Sequence, residues 1–257
     1  MLEEVDEHLL RSLVKAQSKT PLKFLYLEAG AVPIRFLLSS RRMVYLQTIL
    51  KREDSELIKR IYKAQSRNPS PGDFSEMLKA DFETIGEVID EQAIVKSSKN
   101  SYKNFIKAKV RTAALKHLNN LKGAHSKIQA IEYAELKTKS YITSPIFSND
   151  DVSLLYSLQS RLVEYKANFK SIYKDTDILC PFCKKEDDSQ QHMLECEVLK
   201  QHFKSTETSQ HKLVYDDIFK DIKKQKGITA LFRELLDIRR KLKDEFQLIQ
   251  LNPCISD

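Results

Sequence analysis

Three cysteines and a histidine fall within "DILCPFCKKEDDSQQHMLEC", residues 177 to 196, in the order Cys180, Cys183, His192, Cys196. The pattern C-x2-C-x8-H-x3-C gives two thiolates close enough for one tight turn, then an imidazole and a thiolate four residues apart, on one face of a helix. Four soft or borderline donors suit a tetrahedral zinc ion. With every position taken by protein, such a metal is structural, with no place left for a reacting water. Pro181 and Phe182 stiffen the first turn, and Asp188 with Gln191 three residues later is the expected N-cap of the helix carrying the second pair. On the residues alone, a loop of ordinary buried thiols and a disulfide remain alternatives. Against the disulfide, "MLEEVDEHLL" lacks the charge pattern of a secretory or mitochondrial leader, and Cys254 is a single further cysteine. His202 and His211 compete for the fourth position, but only His192 has the four-residue spacing to Cys196 that needs no rearrangement of a loop.

The second concentration of chemistry is electrostatic. Between Glu91 and Glu132 no acidic residue occurs, while Lys96, Lys99, Lys103, Lys107, Lys109, Arg111, Lys116, Lys122 and Lys127 do. The chain as a whole carries a net charge of +7, so its excess positive charge resides in this block. Helices that need only solubility usually mix signs, so an acid-free run points to phosphates, contacted without reading sequence. A solvated helix face is the competing explanation. On a helical wheel Tyr102, Ile106, Val110 and Ala113 form an apolar stripe, with Lys103, Lys107 and Arg111 beside it.

The elements that must position these groups read as helices. Five glycines and seven prolines are few for 257 residues, and Leu, Lys, Glu and Ile abound. A helix is expected over 3–17, with Val5, Leu9, Leu10 and Leu13 on one side. Two more start at Pro21 and Pro33, broken at Gly30, the second running to about Lys51. The segment 53–68 should face Leu57, Ile58, Ile61 and Tyr62 inward, and 74–89 should use Phe74, Met77, Leu78, Phe82 and Ile85. Loops are expected at 68–73, at "VKSSKNS" and at "TSPIFSND". A helix then leads from 151 into the cysteine cluster, and a last helix spans about Gln225 to Leu251, with Ile228, Leu231, Phe232, Leu235, Ile238, Leu242 and Phe246 on its apolar face. The cluster "IRRKLKDEF" reads as a solvated face, and no apolar run is long enough to span a bilayer.

The stretches "LEAGAVPIRFLLSSRRMVYLQTIL" and "RIYKAQSRNPSPGDF" resemble the region just after the catalytic palm in polyproteins of LINE-type (non-LTR) retrotransposons. "SLQSRLVEYKANFKSIYKDTDILCPFCKKEDDSQQHMLECE" is similar to the segment ending in their C-terminal zinc knuckle. The resemblance implies a helical thumb that grips a primer–template duplex, a linker, and a knuckle that engages RNA or target DNA, with Cys180, Cys183, His192 and Cys196 as zinc ligands. The family's polymerase centre needs aspartates on a palm hairpin, and no palm precedes Met1. Tyr215, Asp216 and Asp217 in "HKLVYDDIF" lack the aromatic-x-Asp-Asp order of that hairpin and follow the cysteine cluster, so they are read as helix-start or surface acids. Nuclease chemistry in the last segment is rejected for want of a strand-borne acid cluster.

The expectation is therefore a mainly α protein of bundle-like lobes with a small CCHC zinc knuckle. Its parts are a thumb-like region 1–92, a basic linker 93–147, a helix plus knuckle 148–200 and C-terminal helices 201–257. It has no catalytic residues and one structural zinc. Its partners are RNA or DNA, duplex or hybrid, with a separate polymerase as a further candidate and no membrane. Its place is intracellular, nuclear or cytoplasmic. Arg41 or Arg42 would reach a phosphate or stand solvated, Phe182 would stack on a base, and His117 and His125 are ordinary histidines. The alternative is a helical protein-interaction scaffold stapled by zinc.

Overall fold

The computed structural model describes residues 2–14, 16, 20–122, 133–160, 163, 165–169, 178–201 and 222–251. Lys127, His125, His202, His211, Tyr215, Asp216, Asp217 and Cys254 lie outside them, as do the side chains of Lys122 and Phe246. The fold is mainly α: among the described residues the only β pairing is an isolated antiparallel bridge between Leu179 and Asp187. No described helix is long and apolar enough to cross a membrane. The chain divides into two compact units, Met1–Leu13 with Pro21–Lys139, and Val14–Thr20 with Ser140–Asp257. The basic helix thus falls inside the first unit, and the cysteine cluster shares the second with the C-terminal helix.

The first unit holds α1 (Leu2–Leu13), α2 (Leu22–Ala29), α3 (Ile34–Leu50), α4 (Leu57–Arg67), α5 (Phe74–Thr84), α6 (Glu91–Lys96) and α7 (Lys99–Lys122). Pro21 and Pro33 occupy the N-caps of α2 and α3 as expected, since a residue without an N–H fits where that donor would be unpaired. Gly30 ends α2 at φ +60, and a Cβ there would run into the backbone of Lys137 and Thr138, so both conformation and space demand glycine. The close approach is used: Lys139 N–H donates to Glu28 O at 3.0 Å and the Thr138 hydroxyl to Ala29 O at 2.8 Å. Helix α3 is central, packing on α1, α4, α5, α6 and α7 through Met43, Leu46 and Ile49. Its polar residues are engaged too. Arg42 grips both oxygens of Asp81 at 2.7 and 2.8 Å, and buried Gln47 donates to Ile94 O at 2.9 Å, fixing the end of α6.

Several expectations change. Helix α1 buries Leu10 but leaves Leu2, Val5, Leu9 and Leu13 more than half exposed, so its apolar face is turned outward. Leu57 and Ile61 are likewise exposed on α4, and only Tyr62 of that set is buried. The "VKSSKNS" loop shrinks to Ser97 and Ser98, because α6 claims its start and α7 begins at Lys99. The stripe buried by α7 is Tyr102, Ile106, Val110, Ala114 and Leu118, strictly every fourth residue, so Ala114 rather than Ala113 continues it.

The second unit contains α8 (Ser140–Thr143), α9 (Asn149–Gln159), a 3-10 turn Lys166–Phe169, α10 (Gln190–Glu195), α11 (Glu197–Gln201) and α12 (Ile222–Leu251). Ser148 caps α9 in a reciprocal box with Asp151, whose carboxylate also meets Arg233 of α12 at 2.9 Å. Helix α9 stops at Ser160 instead of running on, with the Ser160 hydroxyl turned back to Tyr156 O at 2.8 Å. Tyr165 then enters the core with Leu158, Met193, Leu199, Ile228, Phe232, Leu235 and Leu242.

Candidate metal centre and basic helix

Cys180, Cys183, His192 and Cys196 come together, their donor atoms all within 4.8 Å of one another. Cys180 Sγ lies 3.9 Å from Cys196 Sγ, and Cys183 Sγ lies 3.2 Å from His192 Nε2. Donors around a tetrahedral ion at metal–sulfur distances of about 2.3 Å stand roughly 3.5 to 4 Å apart, so the cluster can hold a metal ion with small adjustments. The cysteines are free thiols, and the sulfur separation is far beyond a disulfide bond.

Local backbone chemistry builds this arrangement. Between the bridge residues Leu179 and Asp187 the chain turns tightly: Lys184 N–H donates to Cys180 O at 3.0 Å and Cys180 N–H to Glu186 O at 2.7 Å. Lys184 adopts φ 57, the left-handed conformation that folds the chain back on itself. On Cys183 burial acts to raise the thiol, but the N–H groups of Lys185 and Glu186, with Cys180 and His192, bring it down to about 7. Cys180 goes the other way, pushed up to about 11 by burial. A thiolate-ready Cys183 at the rim and a buried Cys180 beneath it share the cluster.

The second pair is aimed by α10, and its cap differs from the expected one. Ser189 accepts from His192 N–H at 3.0 Å, while Asp188 is taken by Arg239, which donates to its two carboxylate oxygens at 2.7 and 2.6 Å. Asp188 also accepts from the N–H of Lys166 at 3.0 Å, and its carbonyl accepts from Ala167 N–H at 3.0 Å. Arg239 is therefore buried, its guanidinium 5.1 Å from the Tyr165 ring and 5.6 Å from the Phe182 ring. Both facts correct the sequence reading. "IRRKLKDEF" is not wholly a solvated face, and Phe182 is core rather than a stacking platform. The signal was present, because Arg239 occupies a register position of the apolar stripe of Ile228, Phe232, Leu235 and Leu242. Glu186 was also missed. Its carboxylate lies 3.0 Å from His192 Nδ1, fixing the ring so that Nε2 faces the thiols.

The basic residues separate into groups. Lys96, Lys99, Lys103, Lys107 and Lys116 are exposed and make no ion pair among the described residues. Lys109 pairs with Glu87 at 2.5 Å and lies over the Phe105 ring, while the Arg111 guanidinium donates to Leu136 O. These two are held by their own fold. On α7, Lys99, Lys103 and Lys107 follow one flank of the buried stripe. The outermost line, Asn104, Ala108, Thr112, Lys116 and Asn120, is exposed and small or polar apart from its one lysine. Of the arginines weighed on α3, Arg42 is committed to Asp81 and Arg41 is exposed.

No protein-family model, no curated protein and no solved structure matches this chain.

Proposed function

We propose that this protein is a non-catalytic, nucleic-acid-binding helical protein with one structural zinc, similar in the order of its parts to the thumb, linker and knuckle of LINE-type reverse transcriptases. The observation that carries the reading is the row of cations on α7 that have no ion-pair partner among the described residues, in a stretch without a single acid. Phosphates supply the negative charge that this surface lacks, and the slim outer line of α7 lets a backbone approach closely. RNA, DNA and hybrid duplexes share that chemistry. Zinc fits the donor set of three sulfurs and one imidazole nitrogen. Four protein donors leave no open position, which supports a structural metal and an intracellular, reducing setting that keeps the thiols free.

Salt titration of binding tests this. Each lysine–phosphate contact adds about 0.9 to the slope of log affinity against log salt for duplex DNA, and about 0.7 for a single strand. Replacing Lys99, Lys103 and Lys107 with glutamate should flatten the slope by about two to three. Arg111 is left alone because it bonds to Leu136 O. A second reading, a protein-interaction scaffold, is favoured by the outward face of Leu2, Val5, Leu9 and Leu13 on α1. An unchanged slope and affinity in the triple variant would make that reading the better one.

A further inference from the structure

A small pocket of about 230 Å³ in the first unit is lined by Arg35, Phe36, Ser39, Thr84 and His117. Three elements contribute: the first turn of α3 brings Arg35, the end of α5 brings Thr84, and α7 brings His117. None of these residues belongs to the flank formed by Lys99, Lys103 and Lys107. From this arrangement we infer that the pocket binds a phosphate oxyanion, with Arg35 as its principal donor and His117 beside it.

The contrast with Arg42 carries the argument. Both arginines sit on α3, two turns apart; Arg42 has a buried carboxylate, Asp81, and Arg35 has none among the described residues. Among the described residues, the one hydrogen-bond partner of the Arg35 guanidinium is the ring nitrogen Nε2 of His117, which leaves most of its N–H donors without acceptors. Arg35 is exposed, yet it is not free in water: it rests against an aromatic ring and an imidazole where other arginines of this unit meet an acid. Its guanidinium sits 5.1 Å from the centre of the Phe36 ring, and the His117 ring lies 5.8 Å from the same ring. Buried Phe36 therefore holds both groups in place before any ligand arrives, lowering the ordering cost of binding.

The field in the pocket has one sign. Burial, then Arg35 and Lys23, depress the proton affinity of His117, and no carboxylate among the described residues opposes them. The hydroxyls of Ser39 and Thr84 are turned back to Arg35 O at 3.1 Å and Ala80 O at 2.8 Å, and both can rotate toward an entering oxyanion. A planar fork of N–H donors matches phosphate geometry. The volume suits a single phosphate group with water and falls below the usual range for larger organic ligands. This deepens the nucleic-acid reading and rests on it only for the source of the phosphate, either a backbone phosphodiester or a terminal or free phosphate.

The test is NMR of the full chain with labelled histidine, the His117 signals being assigned by their loss in His117→Gln. Inorganic phosphate is titrated at ionic strength held constant with chloride. Saturable movement of the His117 ring signals, weakened about tenfold or more in Arg35→Gln, is expected. Duplexes of one sequence with 5′-phosphate or 5′-hydroxyl ends then separate the sources: movement with both assigns the phosphodiester, and movement with the phosphorylated duplex alone assigns the terminal group. If phosphate moves His117 and neither duplex binds the chain, the pocket stands and the nucleic-acid reading fails. If the duplexes bind with a steep salt dependence while His117 stays still throughout, the pocket is overturned and the nucleic-acid reading stands.

Discussion

On the basic helix, Lys99, Lys103 and Lys107 stand in solvent with no carboxylate from the described residues, whereas Arg239 in the second unit is buried against two rings and bonded to both oxygens of Asp188. The first set keeps its charge available to a partner. The second spends it inside the fold, tying α12 to the loop that carries the cysteines. Runs of cations look alike in a sequence, and what separates them is whether an acid elsewhere in the chain is brought within reach. For Lys109 that acid is Glu87, for Arg42 it is Asp81, and for the free lysines the described residues provide none.

Metal removal should separate the two units most severely in stability. Structural zinc sites contribute on the order of 10 kcal/mol or more of apparent folding energy, so stripping the metal with a chelator should unfold the second unit around Cys180, Met193 and Cys196. The first unit, which shares none of the four ligands, should keep its helices. Circular dichroism with hydrogen exchange resolved by segment would show protection lost in 178–201 and 222–251 and retained in α3 and α7. Uniform loss across the chain would contradict it.

A smaller effect sharpens the difference between spent and available charge. Asp188→Ala leaves Arg239 buried without its partner and should cost about 3–5 kcal/mol, while Asp188→Ala with Arg239→Met should recover much of that loss. Lys103→Met, by contrast, should fall within about 0.5 kcal/mol of the parent. Urea denaturation of the variants measures all three. Equal costs for Asp188→Ala and Lys103→Met would show that the buried pair is not what holds α12.

The metal ligands were legible because metal chemistry fixes residue types and short spacings, and both survive in a one-dimensional reading. The starts of α2 and α3 were legible for a similar reason, since Pro21 and Pro33 act locally. Asp188 misled because its cap role lost to an arginine 51 positions away. Leu57, Ile61 and the outward leucines of α1 misled because periodicity identifies an apolar face without saying that anything covers it. Glu186 left no trace, as a carboxylate that orients a ligand obeys no spacing rule.

Gly30 joins the two kinds of information, being legible as a helix break but not as a point of contact. Gly30→Ala should destabilise the first unit by roughly 1–3 kcal/mol, through the left-handed backbone and the collision with Lys137 and Thr138. Thermal unfolding followed by a probe confined to that unit checks it. An unchanged transition would mean that 137–139 does not need to lie so close.

Whether Cys180, Cys183, His192 and Cys196 hold one structural zinc is decided by elemental analysis of the purified full chain. About one zinc per chain, lost on replacing Cys183 or His192 with alanine, is the predicted result. A folded, wild-type chain that contains no stoichiometric metal would contradict it.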